Sequence, residues 1–334
     1  VVARDAEGKI LFLLPLSTRS VAFARQLEWL GSDLCDYNAP LLAGDFYQQI
    51  DQTRFMLLWR DILQRLQSHS SLGYDLIHLE KMPAMVGAQS NVMLGLRVML
   101  NPSGAYLIHL SANWKEFYET KRSSATRRRE RTKLKRLSES GEVRLVNPNS
   151  ENDLLCTINT LMEQKACWFA LNGITNLFAR PGYPEFYRAL ATDEATKHLV
   201  YVSRLDVGST VAAVNIGLTF RGCYYHVLAS YNGELSRFGP GAAHLRELMR
   251  QASERGFRIF DFTIGDEPYK LEWCDTQLKL YDYFSIATLR GALIVLPSRA
   301  VRRLKRWIKQ TPMLWNAFSK GRKLIRSCAI GFRD

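Results

Sequence analysis

Closely spaced cysteines, long apolar runs and, in two stretches, acidic side chains are what this sequence lacks. Its six cysteines stand at positions 35, 156, 167, 223, 274 and 328, and the smallest gap is eleven residues. Without a Cys-x-x-Cys pair, zinc-ribbon and thioredoxin-type chemistry are excluded, and no metal is expected. Scattered thiols fit a reducing cytosol, so a cytoplasmic location is expected. The longest apolar runs, such as 10–16 and 292–297, fall far short of the ~20 residues a spanning helix needs. The opening residues Val1 to Gly8 are not a signal peptide. They lack Met and lead straight into strand-like sequence, so a few residues are expected upstream.

What is present fits an ordinary globular chain. The 334 residues are 47% hydrophobic, 11% aromatic and 23% charged, which excludes disordered, collagen-like and coiled-coil classes. That length allows two domains, with three as the upper bound, and a large core. The net charge of +13 is unevenly placed. Residues 121–136 hold nine Lys/Arg and only Glu130 as acid; residues 297–334 hold eleven Lys/Arg and only Asp334. The other 280 residues carry a net −5, so any basic partner surface is local.

Patterning along the chain alternates strands and helices. Residues 9–16, 74–79 and 105–110 read as strands, and 45–68 as a helix with Phe46, Ile50, Phe55, Leu58, Ile62, Leu63 and Leu66 near one face. Asn113 is a candidate cap for a helix that would continue through the basic run to Gly141, an arm between two lobes. Beyond it, 154–169 and 184–192 read as helices, and 198–205, 210–220 and 222–231 as three meandering strands. A glycine loop at 236–241, a helix over 242–255 closed by Gly256, and strands at 258–264 and 278–289 complete the series. The expected division is a lobe over 1–112, the basic arm 113–141, a second lobe over 142–296 and a basic tail 297–334.

Three places carry candidate chemistry. Arg237, Gly239, Pro240, Gly241 and Ala242 lie between a strand and a helix start. There, bare backbone N–H groups and the helix dipole suit a diphosphate. Asp261 sits mid-strand, where a carboxylate is either a structural acid or a functional one. After that strand, Asp266, Glu267, Tyr269 and Lys270 crowd into one turn with Trp273 nearby, and His226 lies in the middle of the neighbouring strand.

These residues carry a resemblance. Gly239-Pro240-Gly241, Val211-Ala212-Ala213 and the run Asp261-Phe262-Thr263-Ile264-Gly265-Asp266-Glu267-Pro268-Tyr269-Lys270 resemble the GNAT acyltransferase superfamily. Leu30-Gly31-Ser32-Asp33-Leu34-Cys35-Asp36-Tyr37 and Ser124-Ala125-Thr126-Arg127-Arg128-Arg129 extend the likeness. It is greatest to the CelD/BcsL branch, acetyltransferases of cellulose and exopolysaccharide biosynthesis, which is similar to the Fem-like transferases. The glycines stand one place out of the superfamily's usual register, which leaves individual contacts open. The resemblance implies an α/β fold of two GNAT-like lobes with mixed, mostly antiparallel sheets. It implies acetyl-CoA or another acyl-CoA as donor, held between the splayed strands 222–231 and 258–264. It also implies an amine acceptor on a sugar or polysaccharide precursor.

Transfer needs a base for the amine, an acid for the leaving thiolate and a countercharge. Asp261, Asp266, Glu267, His226, Tyr269 and Lys270 are the candidates, and their roles stay open. The alternatives are a Fem-like transferase using aminoacyl-tRNA and a catalytically inactive scaffold. The basic arm contains no aromatic residue within 121–136, so nucleic-acid stacking is not expected. The basic, amphipathic tail suits peripheral contact with an anionic membrane or packing on the body.

Overall fold

The structure, a computed structural model, describes residues 1–310. It is mixed α/β and divides into two compact units, each assembled from separate chain segments. The second unit comprises Tyr106–Thr263 and Glu267–Thr276; the first comprises Val1–Ala105, Ile264–Asp266 and the described residues from Gln277 onward.

A seven-stranded sheet organises the second unit. Its order is Val143–Val146, Val200–Val207, Thr210–Phe220, Cys223–Tyr231, Ile259–Ile264, Ala105–His109 and Thr276–Leu278. The strand Thr210–Phe220 is β-branched and small-residue rich, and positions 212–217 are buried, as a strand covered on both faces requires. It turns into Cys223–Tyr231 through Arg221 and Gly222, both at positive φ, the geometry of a two-residue primed hairpin turn. The helix Pro240–Glu254 then crosses over to the parallel strand Ile259–Ile264. Leu245, Leu248, Met249 and Ala252 recur at helical spacing and bury against Tyr224, Phe260 and Phe262. Each fully buried phenylalanine contributes about 1.5–3 kcal/mol. The helix closes with Gly256 at φ +80°, Phe257 N–H donating to Ala252 O and Gly256 N–H to Ser253 O, a Schellman end.

The first unit is built on a five-stranded sheet in the order Leu16–Val21, Ala24–Trp29, Leu76–Pro83, Leu280–Ile286 and Val98–Leu100. Here too a helix, Gln52–Ser68, links two parallel strands, Ala24–Trp29 and Leu76–Pro83. Its Phe55 and Trp59 bury against Leu27, Trp29, Ile77 and Leu79. Parallel pairing covers only Gln26–Leu76 and Leu27–Ile77. Past that point the turn after Trp29 bonds to the return strand. Asn38 N–H donates to Lys81 O (3.1 Å), Asn38 Nδ2 to Glu80 O (3.2 Å), and Lys81 Nζ to Ser32 O (2.8 Å) and Cys35 O (3.0 Å).

Several expectations change. The basic segment is no arm between lobes. It is two helices of the second unit, Trp114–Lys121 and Ser124–Ser138, each started by its own side-chain cap, Asn113 and Ser123. Both pack on the helix Pro240–Glu254. The helix expected over 45–68 breaks at Ile50 and Asp51, where Asp51 caps Gln52–Ser68. The strand near 280, expected in the second lobe, pairs with Leu76–Pro83 and Val98–Leu100 in the first unit. Position 297 is no boundary, because the helix Leu289–Gln310 runs through Pro297. The rest of the expected tail, 311–334, lies outside the described residues.

Candidate active site

The strands Cys223–Tyr231 and Ile259–Ile264 pair at Cys223–Ile259, Tyr224–Phe260 and Tyr225–Asp261, and there the pairing stops. Both strands continue beyond it, so their facing backbone groups open away from each other. The separation is fixed on one side by Thr263, a β-branched residue held at φ +60°. Its N–H is turned onto the Asp261 carboxylate (2.7 Å), and its hydroxyl reaches His226 O (3.4 Å). Asp261, 4% exposed, holds this backbone turn through its carboxylate.

At the mouth of this opening begins the helix Pro240–Glu254. Its cap is Gly239 in the left-handed region (φ +67°), with no side-chain hydrogen bond. Pro240 has no N–H, so the amides of Gly241 and Ala242 form the start of a helix with its positive end uncapped. The basic helix Ser124–Ser138 crosses this loop. Leu137 is fully buried with Leu235 and Phe238 packed around it, and Lys133 lies over Gly239, its Cδ and Nζ 3.7 and 3.9 Å from where a Cβ would stand. Arg237 is exposed and stacks its guanidinium on Phe238 (4.6 Å).

Across the opening, the segment expected as a turn is a short helix, Pro268–Trp273. Burying its Lys270 (4% exposed) places a cation inside the site. Lys270 Nζ pairs with Glu267 (3.0 Å) and reaches Thr263 O (3.4 Å). Tyr269 packs edge-on to Phe262, and burial, reinforced by Glu267, raises its hydroxyl pKa, so it stays protonated at neutral pH. His226 is brought to the same place but is not a ready base. Burial, with Lys270, His244 and Lys165 adding to it, lowers its pKa to about 3. Asp266 accepts from Gly104 N–H (3.2 Å) within the first unit.

One residue has no forerunner in the sequence reading. Lys165, on the helix Glu151–Leu171, stands over Trp168 (5.6 Å) and Phe169 (5.9 Å). Burial lowers its pKa, Lys270 acts in the same direction and Glu267 opposes. A lysine beside Cys167-Trp168-Phe169 on a half-buried helix is the signal that marks it.

The basic helix is tied to this site through its single acid. Glu130 accepts from Tyr118 and from Arg122 (2.7 Å); Arg122 also pairs with Glu272 (2.9 Å) and lies over the Trp273 ring (4.4 Å). The helix bearing Lys133 and the helix bearing Tyr269 and Lys270 thus share one anchor. Among the described residues no cluster of His, Cys, Asp and Glu suits a metal.

Residues 124–271 match the model of the acetyltransferase (GNAT) domain, so the chain carries an acyltransferase domain. No curated protein matches. Among solved structures, FemX is 9% identical, covering 88% of this chain and 89% of its own, with a TM-score of 0.55. L-PGS from Bacillus licheniformis is 12% identical, covering 88% and 86%, with a TM-score of 0.52. Both likenesses show the fold.

Proposed function

We propose that the chain is an acyl-CoA-dependent N-acyltransferase that acylates an amino group of a sugar or polysaccharide precursor, as in the CelD/BcsL type. The observation that carries the reading is the parallel strand pair that ends at Tyr225–Asp261 beside an uncapped glycine helix start. An extended thioester arm takes the backbone groups freed by the opening. Its diphosphate takes the amides of Gly241 and Ala242, with Lys133 as countercharge.

In the reaction, the acceptor nitrogen attacks the thioester carbonyl carbon. Glu267, held by Lys270, receives the amine proton directly or through water. The C–S bond then breaks, and the protonated Tyr269 gives its hydroxyl proton to the leaving sulfur. Lys270 offsets the negative charge that develops beside it.

The test is a donor screen by thermal shift with CoA, acetyl-CoA and longer acyl-CoAs, set against aminoacyl-tRNA. A ligand at ~100 times its Kd should stabilise by ~2.7 kcal/mol. Acyl-CoA binding, with turnover falling at least about tenfold in Lys270→Ala, about 1.4 kcal/mol of barrier, is the expected result. Response to aminoacyl-tRNA alone would assign the Fem-like reaction, and response to neither would leave a scaffold.

A further inference from the structure

The helix Leu289–Gln310 has two unlike faces. One is anchored in the first unit: Val295 is fully buried with Ala24, Leu76 and Phe284. Arg299 donates to Phe284 O (2.8 Å), and Arg302 pairs with Asp282 (2.7 Å) and Glu80 (2.8 Å). The other face carries Leu289, Leu293, Leu296 and Leu304, which are 88, 67, 59 and 53% exposed; Trp307 is 59% exposed. At ~100° per residue these positions and Ala300 fall in a stripe about 80° wide, opposite Val295 and Arg302. Exposed Arg290 and Arg303 border the stripe.

A leucine stripe this continuous marks a surface that another phase or partner covers. Charge selects the occupant. The helix contains seven Lys/Arg and no acid. Residues 311–334 add five Lys/Arg and one acid, so folding them onto the stripe sets cation against cation. A second copy of the helix does the same. An apolar stripe edged by arginines is complementary to an apolar phase with an anionic rim. We infer that this face docks on an anionic lipid leaflet, the helix lying in the plane of the interface with its leucines in the acyl boundary. No helix among the described residues is long and apolar enough to cross a membrane, which suits lying on the surface rather than spanning it.

The test is cosedimentation of the full chain with vesicles of mixed phosphatidylglycerol and phosphatidylcholine. Binding is expected at low salt, with release at high salt as screening shortens the reach of the arginines. Leu293→Glu/Leu296→Glu changes only exposed positions. It should lower partitioning at least about tenfold and leave the melting temperature unchanged. Arg303→Glu should lower it by about fivefold or more, the share of one basic residue near an anionic surface. Equal binding by the leucine variant, equal binding to phosphatidylcholine alone, or no binding at all would overturn the inference. Self-association in the absence of lipid, abolished by the leucine variant, would also overturn it and make the stripe a homodimer face.

Discussion

Each unit contains a strand, a crossover helix and a parallel return strand, and the two arrangements have been completed in opposite ways. In the second unit the helix starts at Gly239 with no side-chain hydrogen bond to its first amides. In the first it starts at Asp51, whose carboxylate accepts from Arg54 N–H (2.7 Å) and occupies the anion position with the chain's own charge. In the second unit the strands part after Tyr225 and Asp261, and beyond that point side chains, Thr263 on His226 O and Lys270 on Thr263 O, reach their backbone. In the first they part after Leu27 and Ile77, and the turn from Ser32 to Asn38 bonds to the vacated edge at Glu80 and Lys81. Each return strand even holds one residue other than glycine at φ +60°, Thr263 or Lys81, with its N–H on a buried aspartate, Asp261 or Asp282. Under the proposed function, the same backbone device serves as a receptacle in one unit and as a filled core in the other. The difference lies in which polar groups the chain itself satisfies.

The comparison predicts that polar substitutions in the first unit cost stability and that those in the second cost binding. Arg302→Ala is the most severe case. It takes the cationic partner from Asp282, which is fully buried, and from Glu80, and should destabilise by about 3–5 kcal/mol in urea melts. Donor affinity of the folded fraction should be unchanged; a stability loss under 1 kcal/mol would mean that water already screens the cluster. Gly241→Glu gives the second unit the kind of carboxylate the first already has at its helix start. A Cβ there meets only the Tyr231 ring at ordinary contact distance (3.4 Å), so folding should survive. CoA affinity should fall about a hundredfold, about 2.7 kcal/mol, by calorimetric titration. Unchanged affinity would remove this loop from the donor site. Asp51→Ala, the smallest effect, should cost about 1 kcal/mol of stability as a lost cap, with turnover unaltered.

How far the sequence revealed this depends on how local each signal is. Gly239-Pro240-Gly241 announces a helix start by itself, since a positive φ and a proline at the first turn are local properties. The crowding of Glu267, Tyr269 and Lys270 is equally visible, although their helix is only six residues long and reads as a turn. The hairpin Leu16–Val21 and Ala24–Trp29 escapes the pattern because Ser17 to Ser20 are polar and half exposed, leaving too little alternation. His226 looks like a base in the sequence. Only its neighbours, two lysines and a second histidine in a buried place, reveal why it stays neutral. The partner of the strand near 280 is a long-range property with no local trace.

That strand has a consequence for how the molecule is made. Leu280–Ile286 lies in the interior of its sheet, between Leu76–Pro83 and Val98–Leu100, and its partners were synthesised roughly 200 residues earlier. Emerging at about 5–20 residues per second, the first unit waits roughly ten to forty seconds with a vacant interior lane while the whole second unit leaves the ribosome. The N-terminal half is thus the last part to be completed, its edge strands exposed to wrong pairing in the interval. Order of synthesis and order of folding run in opposite directions.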